Sequence, residues 1–172
     1  MRIATLFIVG LLLTSPATAI VSVGDIPPDY LGKTVAGEEI YIRNFEGKVV
    51  VTAFWASWCP PCLDELPVLE SMQRHVGKEA LQIVAINFKE NKSEFNRIYR
   101  SISEYQLTVT RGSNKVVRSF GVKVLPYLFI IGRDGKVAYI HRGYKKSDLS
   151  ALVDAINQEL LTVSTGELTT TP

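Results

Sequence analysis

The sequence predicts an α/β fold, a central mixed sheet flanked by helices on both faces. Three observations carry that prediction. Val49–Trp55 and residues 81–86 are apolar on both faces and rich in β-branched residues, as buried central strands are. Segments of helical period alternate with the early strands, the pattern of layered α/β domains. Near the C-terminus, Tyr127–Ile131 and residues 137–141 flank Arg133-Asp134-Gly135, where Asp-Gly marks a hairpin.

The chain opens on an address. Arg2 supplies a short basic region, residues 3–13 an apolar run, and Ala17-Thr18-Ala19 a small-residue cleavage site, the order of a secretory signal peptide. A run of eleven residues falls short of the roughly 20 that a spanning helix needs. No cysteine follows the run to take a lipid anchor. Residues 1–19 are therefore expected to be removed and the product to be exported and soluble. Removing 19 of 172 residues leaves 153, an ordinary size for one domain, expected over residues 20–163. Only Arg2 among the charged residues is lost, which leaves 18 basic against 17 acidic side chains. That balance gives no electrostatic case for nucleic acid or an acidic membrane surface. With 47% hydrophobic residues, the chain can bury a core without disulfides, so its cysteines are not needed as a scaffold.

Residues 20–33, with Gly24, Pro27, Pro28 and Gly32, read as an irregular lead-in. Residues 39–42 alternate like a short strand, and Glu46-Gly47-Lys48 is a turn. After the first buried strand, Pro60–Val76 has helical spacing, with Leu63, Leu66, Leu69 or Glu70, and Gln73 marking successive turns. The second buried strand precedes a helix capped by Ser93, in which Phe95, Ile98, Ile102 and Tyr105 recur. Residues 108–110 read as a short strand, and Val116, Val117 and Phe120 as a short helix. The hairpin leads to a last helix, capped by Ser147, whose Leu149, Leu152, Val153, Ile156 and Leu160 make one apolar face. Residues 164–172 are Thr-rich, lack a core pattern and are expected to form a disordered tail.

Both cysteines of the chain, Cys59 and Cys62, fall at the junction of the first buried strand and its helix. Cys59 then sits at the helix mouth, with Pro60 at the first helical position, where a missing N–H costs nothing. The positive end of the helix macrodipole and its free N–H groups would favour a thiolate there. Cys62, one turn into the helix, is close enough to attack a mixed disulfide formed at Cys59. Trp58 would give an apolar rim for docking a polypeptide. Zinc is the first rival, but it takes four ligands. His75 lacks a partner histidine three to five residues on, and His141 is isolated. If Pro60–Val76 is one helix, His75 also lies roughly 20 Å from Cys62. A two-coordinate Cu(I) thiolate site stays open, since soft sulfur suits that ion.

Phe54-Trp55-Ala56-Ser57-Trp58-Cys59-Pro60-Pro61-Cys62 resembles the active-site segment of the thioredoxin superfamily. Together with Glu65 and Pro67 it is similar to the C-x-x-C-x-x-E-x-P form of exported TlpA/ResA-like thiol–disulfide oxidoreductases. Gly121-Val122-Lys123-Val124-Leu125-Pro126, followed by an apolar strand and Asp134-Gly135-Lys136, resembles that family's second signature. The similarity covers roughly residues 24–161. It implies a thioredoxin-like fold with an N-terminal β-hairpin and a helical insert before Pro126. It also implies that Cys59 is the attacking thiol and Cys62 the resolving thiol. Pro126 matches a cis-proline facing the cysteine pair, where Leu125 offers its backbone to an extended substrate. Trp58 and Pro60 complete the substrate-binding set.

Glu65 matches an acid beside the cysteines, whose partial burial would raise its pKa into a useful range. Ala53 stands where cytoplasmic thioredoxins carry a buried aspartate, which leaves Glu65 as the acid serving Cys62. Pro67 matches a structural proline and should kink the helix, and Trp55 belongs to the core. Tyr127 departs from the threonine often found after the cis-proline. A glutamate common there in the cytochrome c maturation branch is also absent, which weakens that substrate assignment.

The expected activity is thiol–disulfide exchange without a metal or organic cofactor, in the direction of reduction. Expected partners are disulfide-containing exported proteins, with apocytochrome c a candidate, and a membrane thiol electron donor that restores the reduced pair in an oxidising compartment. A monomer is expected. Cys-Pro-Pro-Cys lacks the cationic histidine of the strong oxidant's motif, whose potential is about −120 mV. Three alternatives stand beside this reading: a disulfide oxidase or isomerase, a copper metallochaperone using the same two thiolates, and a non-catalytic binding module.

Overall fold

The computed structural model describes residues 20–162. The expected signal peptide and C-terminal tail lie outside the described residues. Within them run β1 (Tyr30–Lys33), β2 (Glu39–Tyr41), β3 (Val49–Trp55), α1 (Pro60–Val76), β4 (Leu81–Asn87) and α2 (Lys92–Ser101). Then come β5 (Thr108–Arg111), α3 (Asn114–Ser119), β6 (Tyr127–Ile131), β7 (Val137–Arg142) and α4 (Leu149–Leu161). The strands form one mixed sheet of seven in the order β2-β1-β5-β4-β3-β6-β7.

The central strand β3 is parallel to β4 and antiparallel to β6, with Ala53 opposite Ala85 on one side and Leu128 on the other. Every residue of β3, β4 and β6 is buried, which explains their unbroken apolar runs: a strand covered on both faces has no solvent side to make polar. Alternate residues of β3 divide between two cores. Val49, Val51, Ala53 and Trp55 pack with Leu66 and Leu69 of α1, Phe95 of α2 and Leu152 and Ile156 of α4. Val50 and Phe54 pack with Phe120, Phe129, Val116 and Val117, together with Leu31 and Ile40 of the N-terminal hairpin. Helices thus cover both faces, three on one and α3 on the other.

The expected lead-in contains a strand. β1 occupies its last residues, pairing antiparallel with β2 and, through Lys33 and Arg111, with β5. Gly32 hides it in the sequence and makes it possible in space. Its φ is +115°, and a Cβ there would sit 2.7 Å from the Arg111 carbonyl oxygen, so only glycine lets β1 approach β5. β2 ends at Tyr41, and Ile42–Phe45 turns into a 3-10 helix.

Two helix starts also differ from expectation. α2 is capped by Asn91, not Ser93: Asn91 Oδ1 accepts from the Glu94 N–H at 3.0 Å, and Glu94 Oε2 accepts from the Asn91 N–H at 2.9 Å. This reciprocal box satisfies two end groups at once and outcompetes a lone hydroxyl. α4 follows the 3-10 turn Lys146–Asp148, so Ser147 falls outside its cap and donates instead to Asp148 Oδ1 at 2.9 Å. Pro67 lies inside α1 on its exposed side, and the helix continues through it to Val76.

The buried stripe of α1 is Cys62, Glu65, Leu66, Leu69, Glu70 and Gln73. Leu63 lies off that stripe and is exposed. Gln73 ties the helix to the sheet: its Nε2 donates to the Leu81 carbonyl and its Oε1 accepts from the Ile83 N–H, each at 2.7 Å. Glu70 Oε2 accepts from the Gln106 N–H at 2.7 Å and Oε1 from Arg74.

Candidate active site

β3 ends at Trp55, and the chain turns into α1 within four residues. Two contacts hold that turn. The Cys59 N–H donates to the Ala56 carbonyl at 3.2 Å, and the Ser57 N–H donates to Glu90 Oε1 at 2.7 Å. Cys59 is the N-cap of α1, and Pro60 and Pro61 occupy its first two helical positions. Those positions carry no N–H, and the next two, from Cys62 and Leu63, both donate to the Cys59 carbonyl at 3.0 and 3.2 Å. The macrodipole still points its positive end at the sulfur, but the donors nearest that end are missing or turned to the backbone. The expectation that free helix N–H groups face Cys59 is therefore met only in part.

Cys59 and Cys62 are joined in a disulfide, with Cα atoms 5.3 Å apart. Cys62 is wholly buried, whereas Cys59 lines a groove of about 450 Å³ together with Trp58, Pro60, Pro61 and Leu125. Leu125 precedes Pro126 across a cis peptide bond, and the Pro126 carbonyl accepts from the Gly143 N–H at 2.8 Å. The fold thus brings Trp58, Cys59, Pro60 and Leu125 to one surface. Cys62, Glu65 and Pro126 lie inside it. His75 lines a different cavity, between α1 and α4, and among the described residues no three His, Cys, Asp or Glu side chains gather as a metal site.

Glu65 stands one turn beyond Cys62 on the buried stripe, 1% exposed. Its Oε1 has no hydrogen-bond partner among the described residues. Loss of water without a compensating partner disfavours the charged form, and burial pushes this carboxyl up to about 8. The group is therefore mostly protonated at neutral pH. The family resemblance points to this residue, but nothing in the sequence shows its isolation. Tyr127 is buried, stacks on Phe129 and accepts from Arg142 Nε at 2.8 Å.

Four further residues belong to the site but carry no local signal in the sequence. Glu90, buried beside the turn, is a second acid near the cysteines. Phe88, Lys89 and Lys123 join the groove wall. All four lie on loops, whose side chains are aimed by the elements they connect, not by a local periodicity.

A profile of the AhpC/TSA family matches residues 23–140. The thiol-disulfide oxidoreductase ResA of Geobacillus thermodenitrificans is 29% identical over 137 residues, 79% of each chain. The thioredoxin-like protein YneN of Bacillus subtilis is 30% identical over 122 residues, 70% of this chain and 71% of its own. Among solved structures, a thiol:disulfide interchange protein DsbE from Chlorobium tepidum superposes with a TM-score of 0.75 at 30% identity, covering 81% of this chain and 99% of its own. With the seven-stranded thioredoxin-like sheet and the cysteine pair at a helix mouth, the matches agree: the chain belongs to the AhpC/TSA family, among its thioredoxin-fold thiol–disulfide oxidoreductases.

Proposed function

We propose that this protein is exported to the periplasm and reduces disulfides in exported proteins through the Cys59–Cys62 pair. The observation that carries this reading is the arrangement of the pair: Cys59 on a groove, Cys62 buried one turn behind it, and an unpartnered acid a further turn on. In the reduced protein, the Cys59 thiolate attacks a substrate disulfide. One substrate sulfur leaves as a thiolate and the other stays bonded to Cys59. Cys62 then loses its proton and attacks Cys59 Sγ, which releases the second substrate sulfur and forms the Cys59–Cys62 disulfide. The substrate gains two electrons and the protein loses two.

Glu65 accounts for the Cys62 proton. A carboxyl with a pKa of about 8 is ionised in a minority of molecules near neutral pH, and that ionised fraction can take the proton from Cys62 as it attacks. The oxidised protein then stores that proton on a buried neutral acid and returns it when a membrane thiol donor reduces the pair. Leu125, next to Pro126, offers backbone to an extended substrate, and Trp58 and Pro60 border it. Exported proteins with disulfides are the substrate class, apocytochrome c a candidate within it. The missing donors at the helix mouth support reduction over oxidation, because a less stabilised thiolate gives up electrons more readily.

A Cys62→Ser variant tests the scheme by trapping substrates on Cys59 as mixed disulfides from periplasmic extracts. Failure to recover any thiol-linked partner would overturn it. Equilibration of the protein with glutathione tests the direction, and a potential above about −150 mV would exclude the reductase reading.

A further inference from the structure

The groove beside Cys59 is apolar in its surface and cationic at its edge. Trp58 and Val124 stand 56% and 54% exposed along it. Two exposed lysines line it from separate loops, Lys89 after β4 and Lys123 before β6. No carboxylate lines it. Among the described residues neither lysine has an ion-pair partner.

The nearby acids are withdrawn from this surface. Glu90 follows Lys89 directly, yet its side chain is buried and holds the Ser57 N–H. Glu65 is buried within the stripe of α1. Asp64 is exposed on α1 but does not border the groove. The two positive charges are left without a local counter-charge.

Lys89 adds a second observation. Its φ is +68°, the one non-glycine residue with a positive φ among the described residues. Left-handed backbone is uncommon for a lysine and is adopted more readily by glycine or asparagine. Such positions concentrate at ligand clamps, where the surrounding structure holds a side chain in a required place. Here the ammonium is held 6.0 Å from the Trp58 ring centroid and 5.5 Å from that of Phe88, over the wall of the groove.

An exposed indole, an exposed valine and two unpaired cations fit a polypeptide segment that is apolar and acidic. We infer that the groove selects exported polypeptides whose reactive cysteine is flanked by carboxylate side chains, with Lys89 and Lys123 as the specificity-determining residues. This rests on the reductase reading of Cys59 and Cys62 and names the substrate class for it. Opposite charge raises the encounter rate and lengthens the life of the complex before sulfur exchange, and salt screens both effects.

The test uses the reduced protein and three disulfide-bonded peptides of one length and one apolar pattern, whose cysteines are flanked by Glu, Gln or Lys. At low salt the Glu peptide should be reduced with a kcat/KM about tenfold above the Gln peptide, and the Lys peptide should be slowest. The spread should shrink severalfold at about 0.5 M salt. The double variant Lys89→Glu/Lys123→Glu should invert the order. Equal rates for the three wild-type reactions, or a preference for Lys, would overturn the inference while leaving the exchange chemistry intact. Reduction of none of the three, together with failure of Cys62→Ser to trap any of them, would overturn the reductase reading and this inference with it. The wild-type comparison stands whether or not the double variant folds.

Discussion

The two halves of α1 bury acids in opposite ways. In the first half, Glu65 is enclosed without a partner for Oε1, and its pKa rises to about 8. In the second, Glu70 is also buried but receives the Gln106 N–H and Arg74, and Gln73 spends both ends of its carboxamide on β4. A satisfied polar group strengthens the structure that surrounds it, whereas an unsatisfied one alters its own protonation. One helix thus carries a reactive end and a structural end, and the partners of its buried polar atoms separate the two.

That division can be broken from either side. Cys59→Ser should abolish disulfide reduction, by at least about a thousandfold in kcat/KM, and leave the thermal midpoint of the reduced protein nearly unchanged. A large fall in that midpoint would give the first half a structural role. Glu65→Gln should slow the exchange by roughly a hundredfold near neutral pH. Measurement of the rate from pH 5 to 9 should show the loss of one ionisation.

The same variant reports on stability. The folded carboxyl has a pKa of about 8 against an ordinary 4.5. Between those values the folded state binds the proton that the unfolded state releases. Stability of the oxidised wild type should therefore fall as pH rises from 4.5 and level off above 8, by on the order of 4–5 kcal/mol at most. Urea melts of Glu65→Gln should lack that slope, and above pH 8 the variant should be the more stable protein. A slope that survives in the variant would assign it to another group.

In the second half the effects should be in folding alone. Gln73→Ala strands a buried N–H and a buried carbonyl of β4 and should cost about 2–3 kcal/mol in chemical denaturation, with kcat per folded molecule kept. Glu70→Gln retains an acceptor for Gln106 but loses the charge opposite Arg74, and about 1 kcal/mol is expected. A loss of activity that exceeds the loss of folded protein in either variant would dissolve the distinction between the halves.

The sequence is most readable where structure is local or wholly buried. The expected bounds of β3, β6 and α1 coincide with the observed ones because apolar runs mark doubly covered strands, and Pro60 and Gly77 bracket the helix. Cys59 and Cys62 are legible by their spacing at a strand–helix junction, whereas Glu65 enters only through the family resemblance. β1 carries no local signal, because Gly32 breaks its pattern and its contact with Arg111 lies far along the chain; only the family resemblance implies an N-terminal hairpin. The start of α2 is ambiguous in sequence because Ser93 offers a cap by itself, whereas Asn91 caps only together with Glu94. Lys89 and Lys123 owe their places to loops anchored by β4 and β6, and no local pattern could assign them to the groove.

Gln73 also matters beyond the helix that bears it. β5 begins opposite Val84, so the Leu81 carbonyl and the Ile83 N–H reach past its end. The Gln73 carboxamide supplies one donor and one acceptor there, as a peptide group of a longer β5 would. A single side chain thus acts as a surrogate strand and caps an open stretch of sheet edge. An unpaired N–H and carbonyl buried at that place would each cost folding free energy, so the glutamine lets β5 be short without leaving β4 unsatisfied.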